Sequence, residues 1–320
     1  MRLLMLFAGL LLTGCQTHSM APLPAPTANL FHYQLQNPQG STLLLPDAVR
    51  QLAEADVIMV GELHGHQGIH RFQADLLAQL LSQPRPLALA MEQFSRDNQD
   101  TLDAYLAGEM GEEAFIKKSH AWPGYRSDYR PLISLARDAS IPVIAANAPR
   151  HLVRCIGREG ADYLRRLPAN ERKWVAERLT LADDAYKARF MENRHHGQAP
   201  SEQQFAAQTT WDDTMAESIQ LYLQQHPGHS MMLTVGRFHI AEGLGTAQRL
   251  QQRNPRLNIV LIYPVTADEA LPKAPLWTLH VAPLPASRLK GEPLPAFKRG
   301  EPDCLAGSVS VLFGPPARNS

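Results

Sequence analysis

The chain has 320 residues, and its 31 lysines and arginines balance its 31 aspartates and glutamates. That balance excludes the basic excess a nucleic-acid binder uses and the polybasic run that seeks acidic lipid. The length is that of one large domain, or one domain with a subdomain, and the three cysteines form no Cys-x-x-Cys pair, which argues against thiolate zinc sites and c-type haem attachment.

The chain opens with Met1-Arg2, then an apolar run from Leu3 to Leu12, then Leu12-Thr13-Gly14-Cys15. A charged start, a short apolar stretch and small residues at a cut are the parts of a secretory signal, here 1–14. The run is about half the ~20 residues a spanning helix needs. Leu-x-Gly-Cys resembles the lipobox of bacterial lipoproteins, in which the cysteine takes the lipid, palmitate included, and becomes the mature N-terminus. Cys15 is therefore the expected lipidation site. Gln16 follows it rather than an aspartate, which by resemblance to enterobacterial lipoproteins favours the periplasmic face of the outer membrane. Residues 15–45 begin rich in Pro, Ala, Ser and Thr and read as a tether.

An α/β domain is expected over 46–265. Val57–Val60, Leu87–Met91, Pro142–Ala146, Met231–Val235 and Ile259–Tyr263 are nearly continuous apolar runs, the pattern of strands buried on both faces. Ile69, Phe72, Leu76, Leu77 and Leu80 recur at helical spacing between the first two. The alternation predicts right-handed β-α-β units in a mainly parallel sheet flanked by helices. Residues 151–228 carry no strong strand candidate and read as a helical insertion, a lid or small subdomain. The stretch 266–320 reads as a Pro-rich extension in which Leu276–Val281 could add an edge strand. Whether Cys155 and Cys304 pair is left open by sequence alone.

In open α/β sheets ligands bind beyond the carboxyl ends of the strands. The residues there are Gly61-Glu62-Leu63-His64, Glu92-Gln93, Asn147-Ala148-Pro149-Arg150 and Gly236-Arg237-Phe238-His239. Loops without a task would carry Gly, Pro, Ser and Asp instead. The two Gly-x-x-His segments would bring His64 and His239 to one crevice, with Glu62 and Glu92 as carboxylates. Two histidines and one or two carboxylates make a set for a divalent metal ion, or an acid–base set around an activated water. Each Gly-x-x-His alone is a chance match; the pairing across Glu92 gives the signal.

His66 and His70 are four apart on one helix face, a spacing that suits metal ligation and equally a partly buried histidine with a backbone partner. His195-His196 diverge on a helix and read as solvated. The run Trp122-Pro123-Gly124-Tyr125-Arg126-Ser127-Asp128-Tyr129-Arg130 forms an aromatic loop. One reading has Trp122 and a tyrosine capping the core; the other has a tyrosinate ligating haem iron, with Arg126 or Arg130 on the propionates.

Gly61-Glu62-Leu63-His64, Met91-Glu92-Gln93-Phe94, Trp122 with Tyr125 and Tyr129, Asn147-Ala148-Pro149, Trp211-Asp212 with Met215-Ala216, and Gly236-x-x-His239 together resemble the ChaN family. Its members are iron-regulated, haem-binding lipoproteins of the haem-binding uptake/Tiki superfamily, which also holds erythromycin esterase-like enzymes and the Tiki proteases. The resemblance runs from about residue 45 to 265 in motif order. It implies haem at the aromatic loop, Tyr129 as iron ligand by position in the motif, Tyr125 second, and a homodimer around haem. In the enzymatic relatives the residues matching His64, Glu92 and His239 form the hydrolytic or metal centre. The longer tail beyond Pro264 and the bulky Arg237-Phe238 depart from the family pattern. Two expectations follow: a haem-binding lipoprotein of envelope iron acquisition, or a metal-dependent hydrolase using Glu62, His64, Glu92 and His239.

Overall fold

A computed structural model describes residues 29–192, 199–271, 276–286, 292 and 304. The expected signal peptide, Cys15, His195, His196 and most of the Pro-rich tail lie outside the described residues.

Strands β1 (Tyr33–Gln36) and β2 (Thr42–Leu43) form a hairpin, followed by α1 (Leu45–Leu52), β3 (Val57–Glu62), α2 (Gln67–Leu80) and β4 (Leu87–Ser95). Then come α3 (Gln99–Leu106), α4 (Glu112–Lys118), a π-helical turn at Tyr125–Tyr129, α5 (Arg130–Asp138) and β5 (Val143–Asn147). The long helical interval holds α6 (Arg150–Glu159), α7 (Ala169–Arg172), α8 (Ala185–Glu192) and α9 (Glu202–Gln225). The chain closes with β6 (Ser230–Gly236), α10 (Thr246–Arg253), β7 (Ile259–Thr266) and β8 (Trp277–Val281). The eight strands lie in the order β2-β1-β8-β7-β3-β6-β4-β5. From β8 to β5 every pairing is parallel, and β1 joins β8 antiparallel. All five predicted strands are present in a mainly parallel sheet.

Side-chain alternation explains why those strands read as unbroken apolar runs. Ile58, Val60, Leu87, Leu89 and Met91 face one core with Ile69, Phe72 and Leu76 of α2. Val57, Met59, Ala88 and Ala90 face a second core with Met215, Ala216 and Ile219 of α9. Successive residues point to opposite faces and both faces are covered, so the middles of these strands are apolar, and the buried Thr234 of β6 is satisfied by donating to Gln93. Phe72 is fully buried, and Phe72→Ala would open a cavity costing about 3–5 kcal/mol. Helix α2 starts where His66 caps it, its Nδ1 accepting from the Ile69 amide at 3.4 Å.

Three expectations are corrected. Residues 33–36, placed in the tether, form a strand in the sheet with Leu35 buried. Trp277–Val281 is no edge: it lies between β7 and β1, because the hairpin pairs onto its far side. The 151–228 interval is helical, but α9 is a structural layer on the sheet rather than a lid. Cys155 in α6 is joined to Cys304 by a disulfide, with Cα atoms 5.5 Å apart. Among the described residues no helix is long and apolar enough to cross a membrane.

Candidate functional site at the strand ends

β6 lies between β3 and β4 in the sheet, so the carboxyl ends of these three strands adjoin. This order brings Glu62, His64, Glu92 and His239 together, as the sequence implies. The pairing of β4 with β5 shifts register between Met91 and Ser95. Such an irregularity re-aims side chains, and here Glu92 turns to β6 while Gln93 turns to Glu62.

Glu62 is buried, 2% exposed, and is the hub of the β3 side. Its Oε1 accepts from Tyr129 Oη at 2.7 Å, His64 Nδ1 at 2.8 Å and Gln93 Nε2 at 3.2 Å. Its Oε2 accepts from Gln73 Nε2 at 2.8 Å. Burial by itself would raise the carboxyl pKa, but the His64 hydrogen bond, the nearby His70 and His64 charges and the Gln73 bond outweigh it and hold Glu62 below its ordinary value. His64 is half exposed and stands edge-on to Trp122 with ring centroids 5.0 Å apart. Partial burial lowers its pKa, yet the bond to Glu62 and the charges of Glu92 and Glu62 leave it raised, against a smaller opposing effect of His239.

The β6 side is built differently. His239 is 7% exposed, its Nδ1 is 2.7 Å from Asp212 Oδ1 and its Nε2 is 3.7 Å from Glu92 Oε1. Burial pulls its pKa down, but the Asp212 and Glu92 charges prevail and push it up to about 9. His239 is therefore a buried cation between two carboxylates at neutral pH. Asp212 is fully buried and also accepts from Tyr186 Oη at 2.5 Å and Thr246 Oγ1 at 2.8 Å. The segment Arg237–Gly243 is a pair of 3₁₀ turns kinked at Ala241-Glu242, and it places His239 against Asp212 of α9. It needs Gly245 (φ +60°), where a Cβ would lie 2.5 Å from the His239 carbonyl oxygen.

Gly236 lies between the two sides. Its N–H donates to Glu92 Oε2 at 2.5 Å, and a Cβ on it would lie 3.2 Å from His64 Nε2 and 3.5 Å from Glu92 Oε2. The missing side chain lets the His64 imidazole nitrogen and the Glu92 carboxylate oxygen both come close to this backbone. The two Gly-x-x-His segments thus meet, and what they form is an acid–base constellation. A single three-ligand metal set is not formed: His64 is bound to Glu62 and Glu92 to Gly236. Among the described residues no three His, Cys, Asp or Glu side chains are arranged to hold a metal ion, so the expected divalent ion finds no support.

The aromatic loop is closed. Tyr129 and Tyr125 are each 2% exposed, whereas an iron ligand has to be open to a planar porphyrin. The π-helical turn puts both rings inward: Tyr129 lies edge-on to His70 (5.1 Å) and Trp122 (5.9 Å), and Tyr125 packs on Phe94 and Phe115. Burial, with the Glu62 carboxylate beside it, pushes the Tyr129 phenol well above its ordinary value; burial does the same to Tyr125. Arg126 pairs with Glu113, and Arg130 Nε is 2.7 Å from Glu112. His70 uses both ring nitrogens internally, accepting from the Gly65 amide at 3.1 Å and bonding Gln73 Oε1 at 3.0 Å. His66 Nε2 donates to the Ala282 carbonyl at 2.7 Å. These two histidines are buried structural groups. Sequence reasoning gave no role to Asp212, Gln73 or Tyr186, nor to Gln208, whose Nε2 is 3.3 Å from His239 Nδ1. The one signal for Asp212 was its place in the Trp211-Asp212…Met215-Ala216 motif.

Residues 48–250 match the family described as haem-binding uptake, Tiki superfamily, ChaN. ChaN of Campylobacter jejuni, solved with cofacially bound haem, superposes with a TM-score of 0.60 at 16% identity, over 77% of this chain and 96% of that one, which shows a shared fold. Erythromycin esterase EreC gives a TM-score of 0.45 at 13% identity, over 80% of this chain and 84% of that one. A 100-residue stretch is 33% identical to Protein RETICULATA-RELATED 5, chloroplastic, of Arabidopsis thaliana, covering 31% of this chain and 13% of that protein. The family match spans well over half of the sequence, and the chain belongs to the haem-binding uptake, Tiki superfamily, ChaN family.

Proposed function

We propose that this chain binds haem at the strand-end crevice and serves haem or iron acquisition in the cell envelope. The observation that carries the reading is family membership across 48–250. The fold shared with ChaN of C. jejuni, whose structure holds cofacial haem, supports it. Cofacial binding by that relative is also the ground for proposing a homodimer around haem here. Anchoring by lipid on Cys15, at the outer membrane, rests on the Leu12-Thr13-Gly14-Cys15 sequence. Cys15→Ser should abolish incorporation of a labelled fatty acid; label retained by the variant would refute the anchor.

The residues present fit haem in their chemistry. Ferric iron takes a tyrosinate or an imidazole, and here the Tyr129 phenol and the His64 imidazole share one buried acceptor, Glu62 Oε1. A carboxylate behind an iron-ligating side chain fixes its orientation and raises its basicity. Haem, once bound, supplies the iron centre and two propionates; this chain holds and orients it. Tyr129, expected from the resemblance, must break its bond to Glu62 and leave the cover of Trp122 to reach iron. His64 is already half exposed. Absorption spectra of the ferric haem complex separate the two. Tyr129→Phe and Tyr125→Phe should alter the spectrum if a phenolate ligates, and His64→Ala if the imidazole does. Unchanged spectra in all three would remove haem from this crevice.

The opposed His64 Nε2 and Glu92 Oε2 around Gly236 favour a second reading, hydrolysis by acid–base chemistry. Buried between Glu92 and Asp212, His239 would hold a proton for a leaving group and Glu92 would take one from water. Glu92→Gln would then abolish turnover of an ester substrate while sparing haem binding. Equal turnover by wild type and Glu92→Gln would end this reading.

A further inference from the structure

The arginines that sequence reasoning offered to the propionates, Arg126 and Arg130, are already neutralised by Glu112 and Glu113. Arg237 is bound by Glu269, and Arg96 by Glu217. Helix α6 differs. Arg150, Arg154 and Arg158 recur at i, i+4 and i+8 and are exposed, opposite the buried Leu152, Val153 and Ile156. Among the described residues none of the three has a carboxylate or other hydrogen-bonding partner for its guanidinium.

Helix stability does not account for this stripe. Like charges four apart destabilise a helix. A cation in the first turn opposes the helix dipole, and α6 has Arg150 there with no acidic residue. Partial burial and the Arg154 charge both lower the Arg150 pKa, so the two guanidinia repel one another. Arg158 lies in the last turn, where the dipole favours a cation; Arg150 and Arg154 have no such compensation, and an uncompensated pair of like charges marks a surface set aside for a ligand. The place matters as well. Arg150 follows Asn147-Ala148-Pro149 at the carboxyl end of β5, and the Asn147 side chain donates to the Glu92 backbone carbonyl at 3.0 Å. β5 is two strands from β6. At ~4.8 Å per strand its end stands about 10 Å from Gly236 and His239, a span that matches half of a porphyrin with its side chains.

We propose that Arg150 and Arg154 form an anion subsite at the crevice mouth that receives the two propionate carboxylates of haem. This rests on the haem-binding reading and adds to it the residues that orient the ligand. Arg158, a further turn away, lies beyond reach and serves as the control. Guanidinium–carboxylate pairing is directional and charge-assisted, so the subsite selects free carboxylates over esters.

The test is a titration of the full chain with ferric haem and with haem dimethyl ester. Wild type should prefer haem, and Arg150→Gln with Arg154→Gln should each weaken haem by roughly ten-fold while leaving the diester unchanged. Arg158→Gln should behave as wild type. A double variant that keeps the full preference for haem over diester overturns the assignment while the haem reading stands. Wild type that binds neither form removes the haem reading itself, and the subsite with it. If the double variant binds haem normally but no longer associates with phosphatidylglycerol vesicles, the stripe faces a membrane and the assignment is wrong.

Discussion

The two sides of the crevice start from nearly the same sequence, a buried strand followed by Gly-x-x-His. On the β3 side the buried group is an anion: Glu62 collects four hydrogen bonds, and His64 stands half exposed at its edge. On the β6 side the buried group is a cation, His239, held between Asp212 and Glu92. The difference comes from what each strand end packs against. The end of β3 packs against α2 and the aromatic loop, which supply neutral donors, Gln73 and Tyr129. The turn after β6 packs on α9, which supplies a carboxylate, Asp212. A short motif fixes where a side chain starts; the layer opposite fixes its charge.

Removing the anion should have the largest effect. Glu62→Gln puts an NH₂ group where donors already point and leaves His64 and Tyr129 without their charged acceptor. It should cost about 3 kcal/mol in denaturant unfolding. A loss below about 1 kcal/mol would show that the β3 side is not organised by that carboxylate.

The cation is next, and it is pH-dependent. His239 has a folded pKa of about 9, above its unfolded value of about 6.5. Its contribution is therefore fully present below pH ~6.5 and is lost as pH rises through about 9, on the order of 3 kcal/mol. Stability measured across that window should fall in wild type and stay flatter in Asp212→Asn. A parallel fall in both would dissociate Asp212 from the His239 charge.

A smaller change sharpens the link between the sides. Tyr129→Phe keeps the ring between His70 and Trp122 but removes the donor to Glu62, for a loss of about 1–2 kcal/mol. It should also shift the NMR titration of His64, since both groups share Glu62 Oε1. No shift would mean that the two act independently. Least costly is Gly236→Ala, at about 1 kcal/mol, because its φ of −54° suits alanine and only the His64 ring and Glu92 must give. The new methyl should fill the space between the sides and move the His64 resonances. Unperturbed resonances would show that the space is wider than these contacts indicate.

Much of this was legible in the sequence for a physical reason. Strands buried on both faces must be apolar throughout, so β3 to β7 stand out as runs, and their ends locate the crevice. Tyr33-Gln34-Leu35-Gln36 was hidden because a strand with one buried residue beside a Pro-rich segment has no run to show. Asp212 was hidden because periodicity assigns polar helix residues to solvent. In α9 Thr209, Thr210, Asp212, Asp213 and Thr214 are buried; Tyr186 and Thr246 donate to Asp212, Thr180 donates to Asp213, and the Thr210 and Thr214 hydroxyls donate to carbonyls one turn back. The closure of Tyr129 was hidden because its acceptor, Glu62, lies 67 residues away in the chain.

The account is tested most directly by titrating ferric haem into the wild-type chain freed of residues 1–15, followed in the Soret band. It predicts saturable, stoichiometric binding with a spectrum that changes when Glu62→Gln removes the carboxylate shared by His64 and Tyr129. Absence of saturable binding, or an identical spectrum in a folded Glu62→Gln variant, would contradict it.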